Sequence, residues 1–189
     1  MNRIYTFLAT GFEEVEALGV VDVCRRAGLP LTTVSVTGEE VVEGAHGVGI
    51  VADALFEDTD LSDAALLFLP GGLPGATNLN DHAPLRAAIQ RHYDAGKALA
   101  AICAAPLVYG QMGLLRGKHA TCYPGFEQYL EGAACTGELV VEDGQFLLGK
   151  GPAAVFKLGY AIVERFCGPA KAREVCAGML YPDAIETGL

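Results

Sequence analysis

One cysteine of the sequence stands where a strand is predicted to turn into a helix. Ala98–Ile102 is a short apolar run, and Pro106 is typical of the first turn of a helix, so Cys103 falls at the corner between them. A tight corner of this kind projects one side chain over the end of a sheet, as in a nucleophile elbow. The following helix N-terminus favours a thiolate and lowers its pKa. We therefore predict that Cys103 is a reactive nucleophile rather than a structural cysteine of the core.

A carboxyl group is predicted to lie beside this thiol. At helical spacing Glu16 shares one stripe with three apolar residues, Val20, Val23 and Cys24. Burial disfavours the charged form of a carboxyl group, so we expect a raised pKa and a proton that Glu16 can exchange with Cys103. Glu13 and Glu14 are expected only to complement the dipole of the same helix.

A glycine pair follows another buried strand. The apolar run Ala64–Leu69 ends in Pro70-Gly71-Gly72, where the backbone can turn with its N–H groups exposed. Such groups suit an oxyanion hole, although a tight turn that requires positive φ explains the glycines equally well. The segment matches neither a GxGxxG fingerprint nor a phosphate-binding loop, so it gives little support to nucleotide binding.

The histidines are weaker candidates for the active site than the residues above. His46 lies in a glycine-flanked loop after the second strand and could reach the site. His82 and His92 are expected to be solvated, because each stands beside polar residues on or near a helix.

Composition sets the class of protein. The chain has 189 residues and a net charge of −10, which predicts a single domain over 1–189 that repels nucleic acid and anionic membranes. The N-terminal apolar run is too short for a signal peptide, and no uninterrupted membrane-spanning stretch is present, so we expect a cytoplasmic protein. The six cysteines form no CxxC pair, which favours reduced thiols and gives no support to a metal site.

Strands and helices alternate along the chain. The predicted strands are Arg3–Leu8, 31–36, Ala64–Leu69, Ala98–Ile102 and 118–122. The predicted helices run from a Thr10 cap to Arg26 and over 84–95, 106–112, 152–166 and 169–177, with hairpins near 41–51 and 139–148. This order predicts a flavodoxin-like, doubly wound α/β fold, with a mostly parallel sheet flanked by helices on both faces. Active sites of such folds lie beyond the carboxyl ends of the strands, where Cys103, Glu16 and Gly72 are placed.

In order and spacing, five segments make the sequence similar to the DJ-1-like branch of the ThiJ/PfpI superfamily over essentially the whole chain. They are Gly11-Phe12-Glu13-Glu14-Val15-Glu16, Val23-Cys24-Arg25-Arg26-Ala27-Gly28, Leu69-Pro70-Gly71-Gly72, Ala100-Ala101-Ile102-Cys103-Ala104-Ala105-Pro106 and Gly149-Lys150-Gly151-Pro152. The resemblance implies that Cys103 is an oxidisable nucleophile, Glu16 its protonated partner, and Gly72 and Ala104 backbone donors. It also implies a homodimer with the first helix near the interface and no bound cofactor.

One departure from the family pattern concerns proton transfer. Members of the family carry a histidine near the nucleophile in a Thr-His-Pro context, whereas this chain has Thr121-Cys122-Tyr123-Pro124. Tyr123 can donate a hydrogen bond but is a poor base at neutral pH. His46 stands at a position where the family has an arginine. We therefore expect proton transfer to depend mainly on Glu16, with Tyr123 or His46 as accessory groups.

The resemblance implies a glutathione-independent glyoxalase or deglycase, which acts on small aldehydes and dicarbonyls such as methylglyoxal in a stress-protective role. The alternative is a non-enzymatic redox sensor or holdase chaperone that uses the same oxidisable cysteine. A protease or amidotransferase is disfavoured, because Ala104 rather than a histidine follows Cys103.

Overall fold

A seven-stranded sheet organises the computed structural model, which describes residues 3–181; both ends of the predicted domain 1–189 lie outside the described residues. The strands are β1 (Arg3–Leu8), β2 (Leu31–Ser35), β3 (Val41–Glu43), β4 (Gly49–Val51), β5 (Ala54–Leu55), β6 (Ala64–Leu69), β7 (Ala98–Ile102), β8 (His119–Ala120), β9 (Ala134–Cys135), β10 (Val140–Asp143) and β11 (Phe146–Gly149). The helices are α1 (Glu14–Arg26), α2 (Gly75–Asp81), α3 (Ala83–Asp94), α4 (Pro106–Gln111), α5 (Val155–Cys167) and α6 (Pro169–Gly178).

The strand order of the main sheet is β10-β11-β7-β6-β1-β2-β5, and every neighbouring pair is parallel except the β10–β11 hairpin. The chain adds β2 on one side of β1 and β6 on the other, so β1 and β6 flank the topological switch point. The predicted flavodoxin-like α/β class is confirmed. Because β1, β6 and β7 are adjacent and parallel, the loops that leave their carboxyl ends meet at one edge of the sheet.

Apolar side chains fill both faces of the sheet. One core cluster contains Phe7, Leu67 and Tyr109 and packs α2, α3 and α4 on one face. The other cluster contains Phe68 and Leu158 and packs α1, α5 and α6 on the opposite face. The α1 helix is therefore anchored on the sheet through Val20, Val23 and Cys24, and its start follows the end of β1 after a loop of five residues.

Three local predictions were wrong. Thr10 does not cap α1; the helix begins at Glu14, and the carboxylate of Glu13 accepts the N–H of Glu16 at 2.7 Å. The strand predicted over 118–122 is the two-residue β8, which pairs with β9 outside the main sheet. The short helix α2 was missed, because its sequence contains glycine, threonine, two asparagines and one aspartate rather than an apolar stripe.

The six cysteines are all described, and each has a free thiol, as predicted. Among the described residues, no helix combines the length and the apolar composition needed to cross a membrane.

Candidate active site

Cys103 occupies the corner between β7 and α4 in a left-handed conformation, with φ of 64°. A non-glycine residue in this region costs on the order of 1–3 kcal/mol and persists only where its surroundings enforce it. Here the Cys103 N–H donates to the Gly149 carbonyl at 2.9 Å, and the Cys103 carbonyl accepts the N–H of Tyr123 at 2.8 Å. The last residue of β11 and the loop after β8 thus hold the corner in place through backbone hydrogen bonds. The predicted geometry of a strained strand-to-helix corner is confirmed.

Glu16 projects from the first turn of α1 and is fully buried. Its Oε2 accepts the Gly71 N–H at 2.9 Å, while its Oε1 is buried with no hydrogen-bond partner of conventional geometry among the described residues. The pKa of Glu16 is raised to about 7, mainly by burial and further by the charge of Glu13. Hydrogen bonds from the Cys103 thiol and the Gly71 N–H oppose part of this increase. The raised pKa predicted from the helical stripe is confirmed, and it places a titrating carboxyl group in contact with the thiol.

The pKa of the Cys103 thiol differs from the prediction. Burial, together with the charge and hydrogen bond of Glu16, raises this pKa to about 12, although the N–H groups of Ala104 and Gly72 lower it. The lowered pKa that we expected from the helix N-terminus is therefore wrong. Two physical reasons account for the difference: burial, the larger of the two, disfavours the charged thiolate, and the neighbouring Glu16 carboxylate opposes a second negative charge. The free protein thus holds a buried thiol against a buried carboxyl group.

The glycine pair after β6 fits tightly around these two groups. A Cβ atom on Gly71 would lie 2.5 Å from Glu16 Oε2 and 2.7 Å from Cys103 Cβ, so no larger residue fits there without displacing them. Gly72 has φ of +86° and packs against the backbone of Glu13. The role of Gly71 as hydrogen-bond donor to Glu16 was not predicted. The sequence places Gly71 in the turn but does not say which N–H faces the carboxyl group.

The predicted backbone donors come together at the nucleophile. The N–H groups of Gly72 and Ala104 both lie within hydrogen-bonding reach of the Cys103 sulfur. They reach it from different loops, one after β6 and one after β7. Their role as an oxyanion hole for a reacting carbonyl group stays a prediction.

His46 lies in a loop that α1 holds through Glu14. Its Nδ1 lies 2.7 Å from Glu14 Oε2, and its backbone N–H donates to Glu14 Oε1 at 2.8 Å. Burial alone would raise the pKa of Glu14, but these hydrogen bonds lower it, and the same contact raises the pKa of His46. Glu14 therefore does more than complement the helix dipole. The His46 ring is exposed, and the hydrogen bonds described for it go to Glu14, so an accessory role at Cys103 stays a prediction.

Tyr123 is joined to the nucleophile through its backbone. Its N–H donates to the Cys103 carbonyl, and its ring is half exposed beside Gly151, where a Cβ atom would lie 3.3 Å from the Tyr123 Cδ2. The tyrosine thus lines the approach to the corner, and its proposed hydrogen bond to substrate stays a prediction.

Two other histidines were predicted incorrectly. His92 is buried, its Nε2 lies 2.9 Å from the Ala98 carbonyl, and burial lowers its pKa to about 4. His82 caps α3 by accepting the Leu85 N–H at 3.1 Å. Both stabilise the fold at positions away from Cys103.

One group of side chains offers metal-ligand geometry within the described residues. Donor atoms of Glu13, Glu14 and His46 lie within 4.8 Å of one another. The Glu14–His46 ion pair already accounts for their proximity, and the expectation that the protein uses no metal or cofactor stays a prediction.

The fold and the corner define a flavodoxin-like α/β protein that carries a cysteine and a buried glutamate at the switch-point edge of its sheet. A family model described as the DJ-1/PfpI family matches residues 2–165. The chain belongs to the DJ-1/PfpI family.

Several known proteins are similar to this chain. Protein DJ-1 homolog B of Arabidopsis thaliana is 41% identical over 176 residues, which cover 92% of this chain and 40% of that protein. This chain therefore spans less than half the length of that relative. The crystal structure of Drosophila melanogaster DJ-1beta has 30% identity and a TM-score of 0.91, and the match covers 95% of this chain and 97% of that one. A deglycase of Pyrococcus abyssi is 29% identical over 157 residues, which cover 82% of this chain and 93% of that protein.

Proposed function

We propose that the protein is a cysteine-dependent enzyme that converts small reactive dicarbonyls, such as methylglyoxal, into hydroxy acids without glutathione. The observation that carries the proposal is the contact between Cys103 and Glu16, a buried carboxyl group whose pKa is about 7. A general base or acid is most effective when its pKa lies near the working pH. A relative of 29% identity that is named a deglycase also supports the proposal.

The first step generates the nucleophile at the moment of attack. The Cys103 sulfur bonds to the aldehyde carbon while its proton passes to the Glu16 carboxylate, and the carbonyl electrons move to oxygen. The N–H groups of Gly72 and Ala104 stabilise that oxyanion. Glu16 returns the proton to this oxygen, which gives a hemithioacetal. Concerted transfer suits the site because a free thiolate is disfavoured beside the ionised carboxylate.

The second step moves hydrogen between the two carbons. The Glu16 carboxylate removes the proton from the carbon bonded to sulfur, which forms an enediolate, and delivers it to the adjacent carbon, while the hydroxyl proton of the first carbon passes to the oxygen of the second. The product is a thioester of a 2-hydroxy acid. Water then attacks the thioester, the carbon–sulfur bond breaks and the Cys103 thiol is restored. The sum is one dicarbonyl plus one water giving one hydroxy acid, with no oxidant or reductant.

The buried position of the thiol restricts the substrate. Only 9% of Cys103 is exposed, and Gly71 leaves no free space on the side of Glu16. A short dicarbonyl is compatible with this approach. Dicarbonyls also form adducts with amines and thiols. Because Cys103 is buried, such an adduct could react only if its reacting carbon stands at the end of an extended side chain.

The test is formation of lactate from methylglyoxal with no added thiol. Cys103→Ser and Glu16→Gln should each reduce the rate to background, because one removes the nucleophile and the other the proton carrier. Cys176→Ser replaces a partly buried cysteine on α6 and should keep the wild-type rate, which controls for handling of cysteine variants. A wild-type rate in either active-site variant, with a native circular dichroism spectrum, contradicts the mechanism.

A redox sensor or chaperone would use the same cysteine without turnover. Both functions need the deprotonated Cys103, so the raised pKa of this thiol does not separate them, whereas turnover of a dicarbonyl does. Stoichiometric oxidation of Cys103 by peroxide together with no conversion of dicarbonyls would favour the sensor instead. The stress-protective role and the cytoplasmic location stay predictions.

We also propose that a second copy of the chain covers the exposed side of α1, as the family resemblance implies. The support is a set of exposed apolar side chains on α1 and on the β3–β4 hairpin: Val15, Leu18, Val41 and Val51. The hairpin lies beside the start of α1, because Phe12 bridges to Gly44. Apolar groups at such a surface are typical of a protein interface.

A further inference from the structure

Two cysteines outside the proposed active site lie next to each other on a small sheet. Cys122 is buried and Cys135 is exposed. Ala120 of β8 is in register with Cys135 of β9, and the Thr136 N–H donates to the Ala120 carbonyl at 2.9 Å. Because alternate residues of a strand share a face, Cys122, two residues beyond Ala120, is directed to the same side as Cys135. The pairing of two short strands therefore brings the two side chains together.

The two thiols interact directly. The side chains of Cys122 and Cys135 are close enough for each thiol to affect the pKa of the other. Burial raises the pKa of Cys122 to about 12, and the charge of Glu127 adds to it. Burial also raises the pKa of Cys135, but the hydrogen bond from Cys122 lowers it. The pKa of Cys135 nevertheless stays raised overall, and Cys135 is the more accessible of the two sulfurs, so it is the one that meets a small disulfide first.

This pair is separate from the proposed active site. Cys122 packs in the core cluster beneath α2, α3 and α4, whereas Cys103 belongs to the cluster on the opposite face of the sheet. The connection between the two sites is through the backbone, since the residue after Cys122 donates its N–H to the Cys103 carbonyl.

We propose that Cys122 and Cys135 form a reversible dithiol–disulfide pair, a second oxidisable site that reacts with low-molecular-weight disulfides. The Cys135 thiolate attacks one sulfur of the small disulfide, forms a mixed disulfide and releases one small thiolate. Cys122 loses its proton and attacks the Cys135 sulfur, which forms the bond between the two cysteines and expels the second small thiolate. Two protein thiols are oxidised and one small disulfide is reduced to two small thiols, which take up the two protons.

The backbone around Cys135 allows the two sulfurs to approach bonding distance. A disulfide requires Cα atoms roughly 4.4–6.8 Å apart, and neighbouring strands lie about 4.8 Å apart, so diagonal neighbours need a small shift. β9 consists of two exposed residues between Gly132 and Gly137, which have φ of 78° and 74°. The strand carries little packing of its own, and it can move towards Cys122 without disturbing the main sheet.

Mass spectrometry of the whole protein tests the pair. The protein is treated with glutathione disulfide, free thiols are alkylated, and the chain is cleaved after lysine and arginine. Both cysteines then lie on one peptide, residues 119–150, which contains no internal lysine or arginine. We expect this peptide to lack two alkyl groups and to regain both after reduction before alkylation. Additional cleavage after Glu127 or Glu131 should give two fragments that remain linked until they are reduced.

Variants separate this pair from the proposed enzyme. The disulfide should form equally in Cys103→Ser, so a failed turnover assay does not affect it. It should be absent in Cys135→Ser and present in Cys176→Ser, which removes a cysteine from α6. Two results overturn the proposal: full alkylation of both cysteines after oxidation, or a lasting glutathione adduct on Cys135 with Cys122 still free.

Discussion

Replacing Glu16 by glutamine should make the protein more stable above neutral pH, even though it removes the proposed proton carrier. The pKa of Glu16 is about 7 in the folded protein, against an ordinary value of 4.5. Between these two values the folded state holds a proton that the unfolded state has released. The free energy of unfolding therefore falls as pH rises from about 4.5 to 7 and is constant beyond that range.

The size of the effect follows from the shift of roughly 2.5 pKa units, at 1.36 kcal/mol per unit, which gives about 3 kcal/mol. Glutamine has the shape of the protonated acid and keeps an oxygen that accepts the Gly71 N–H. The variant should match the wild type near pH 4.5 and exceed it by up to about 3 kcal/mol at pH 8. For a chain of this length, that difference corresponds to roughly 6–12 °C in Tm.

Urea or thermal unfolding between pH 5 and pH 8.5 measures the difference directly. Cys103→Ser is the matched comparison, because it keeps the carboxyl group and removes its titratable neighbour. We expect Cys103→Ser to retain the loss of stability towards pH 7, since Glu16 is the group that titrates. A Glu16→Gln variant that is less stable than the wild type at pH 8 would refute the reasoning, as would a difference that does not vary with pH.

Two further predictions concern packing and assembly. Gly71→Ala places a Cβ atom 2.5 Å from Glu16 Oε2 and should cost about 1–3 kcal/mol in thermal unfolding and abolish turnover. Gly178→Ala, on α6 with nothing within 4 Å, should be neutral or slightly stabilising, and equal behaviour of the two variants would contradict the steric argument. Val51→Asp replaces an exposed apolar side chain of the proposed dimer interface by a charged one, so it should convert a dimer into monomers. Sedimentation experiments measure the molecular mass. A mass equal to that of the wild type would exclude the β3–β4 hairpin from the interface.

The sequence predicted the elements that have strong patterns of their own. β6 and β7 are continuous apolar runs, β1 is mostly apolar, and the structure has all three at the predicted bounds. Cys103 was predicted at the corner because an apolar strand and a helix-initiating proline stand on either side of it. Glu16 was predicted to be buried because helical periodicity alone determines its side of α1. Each of these inferences rests on residues close together in the chain.

The sequence could not predict features that depend on contacts between distant segments. The pKa of Cys103 is raised because the folded chain buries the thiol and because α1 brings a carboxyl group to it, whereas the local helix N-terminus suggested the opposite direction. The His92 ring can be buried because the Ala98 carbonyl, which belongs to β7, gives it a hydrogen-bond partner. β8 and β9 have only two residues each, so their pairing has no periodicity to detect.

The coincidence of unfavourable features at one point is the strongest argument that this corner does chemistry. Cys103 has a positive φ, Glu16 is a buried carboxyl group whose Oε1 has no hydrogen-bond partner among residues 3–181, and Gly71 has no space for a side chain. Each feature is tolerated only because the surrounding structure enforces it, and together they involve two loops and the first turn of α1. A glutamine in place of Glu16 would remove about 3 kcal/mol of cost at neutral pH without changing the packing. A protein that keeps the acid there forgoes stability at the position where the proposed mechanism accepts and returns a proton.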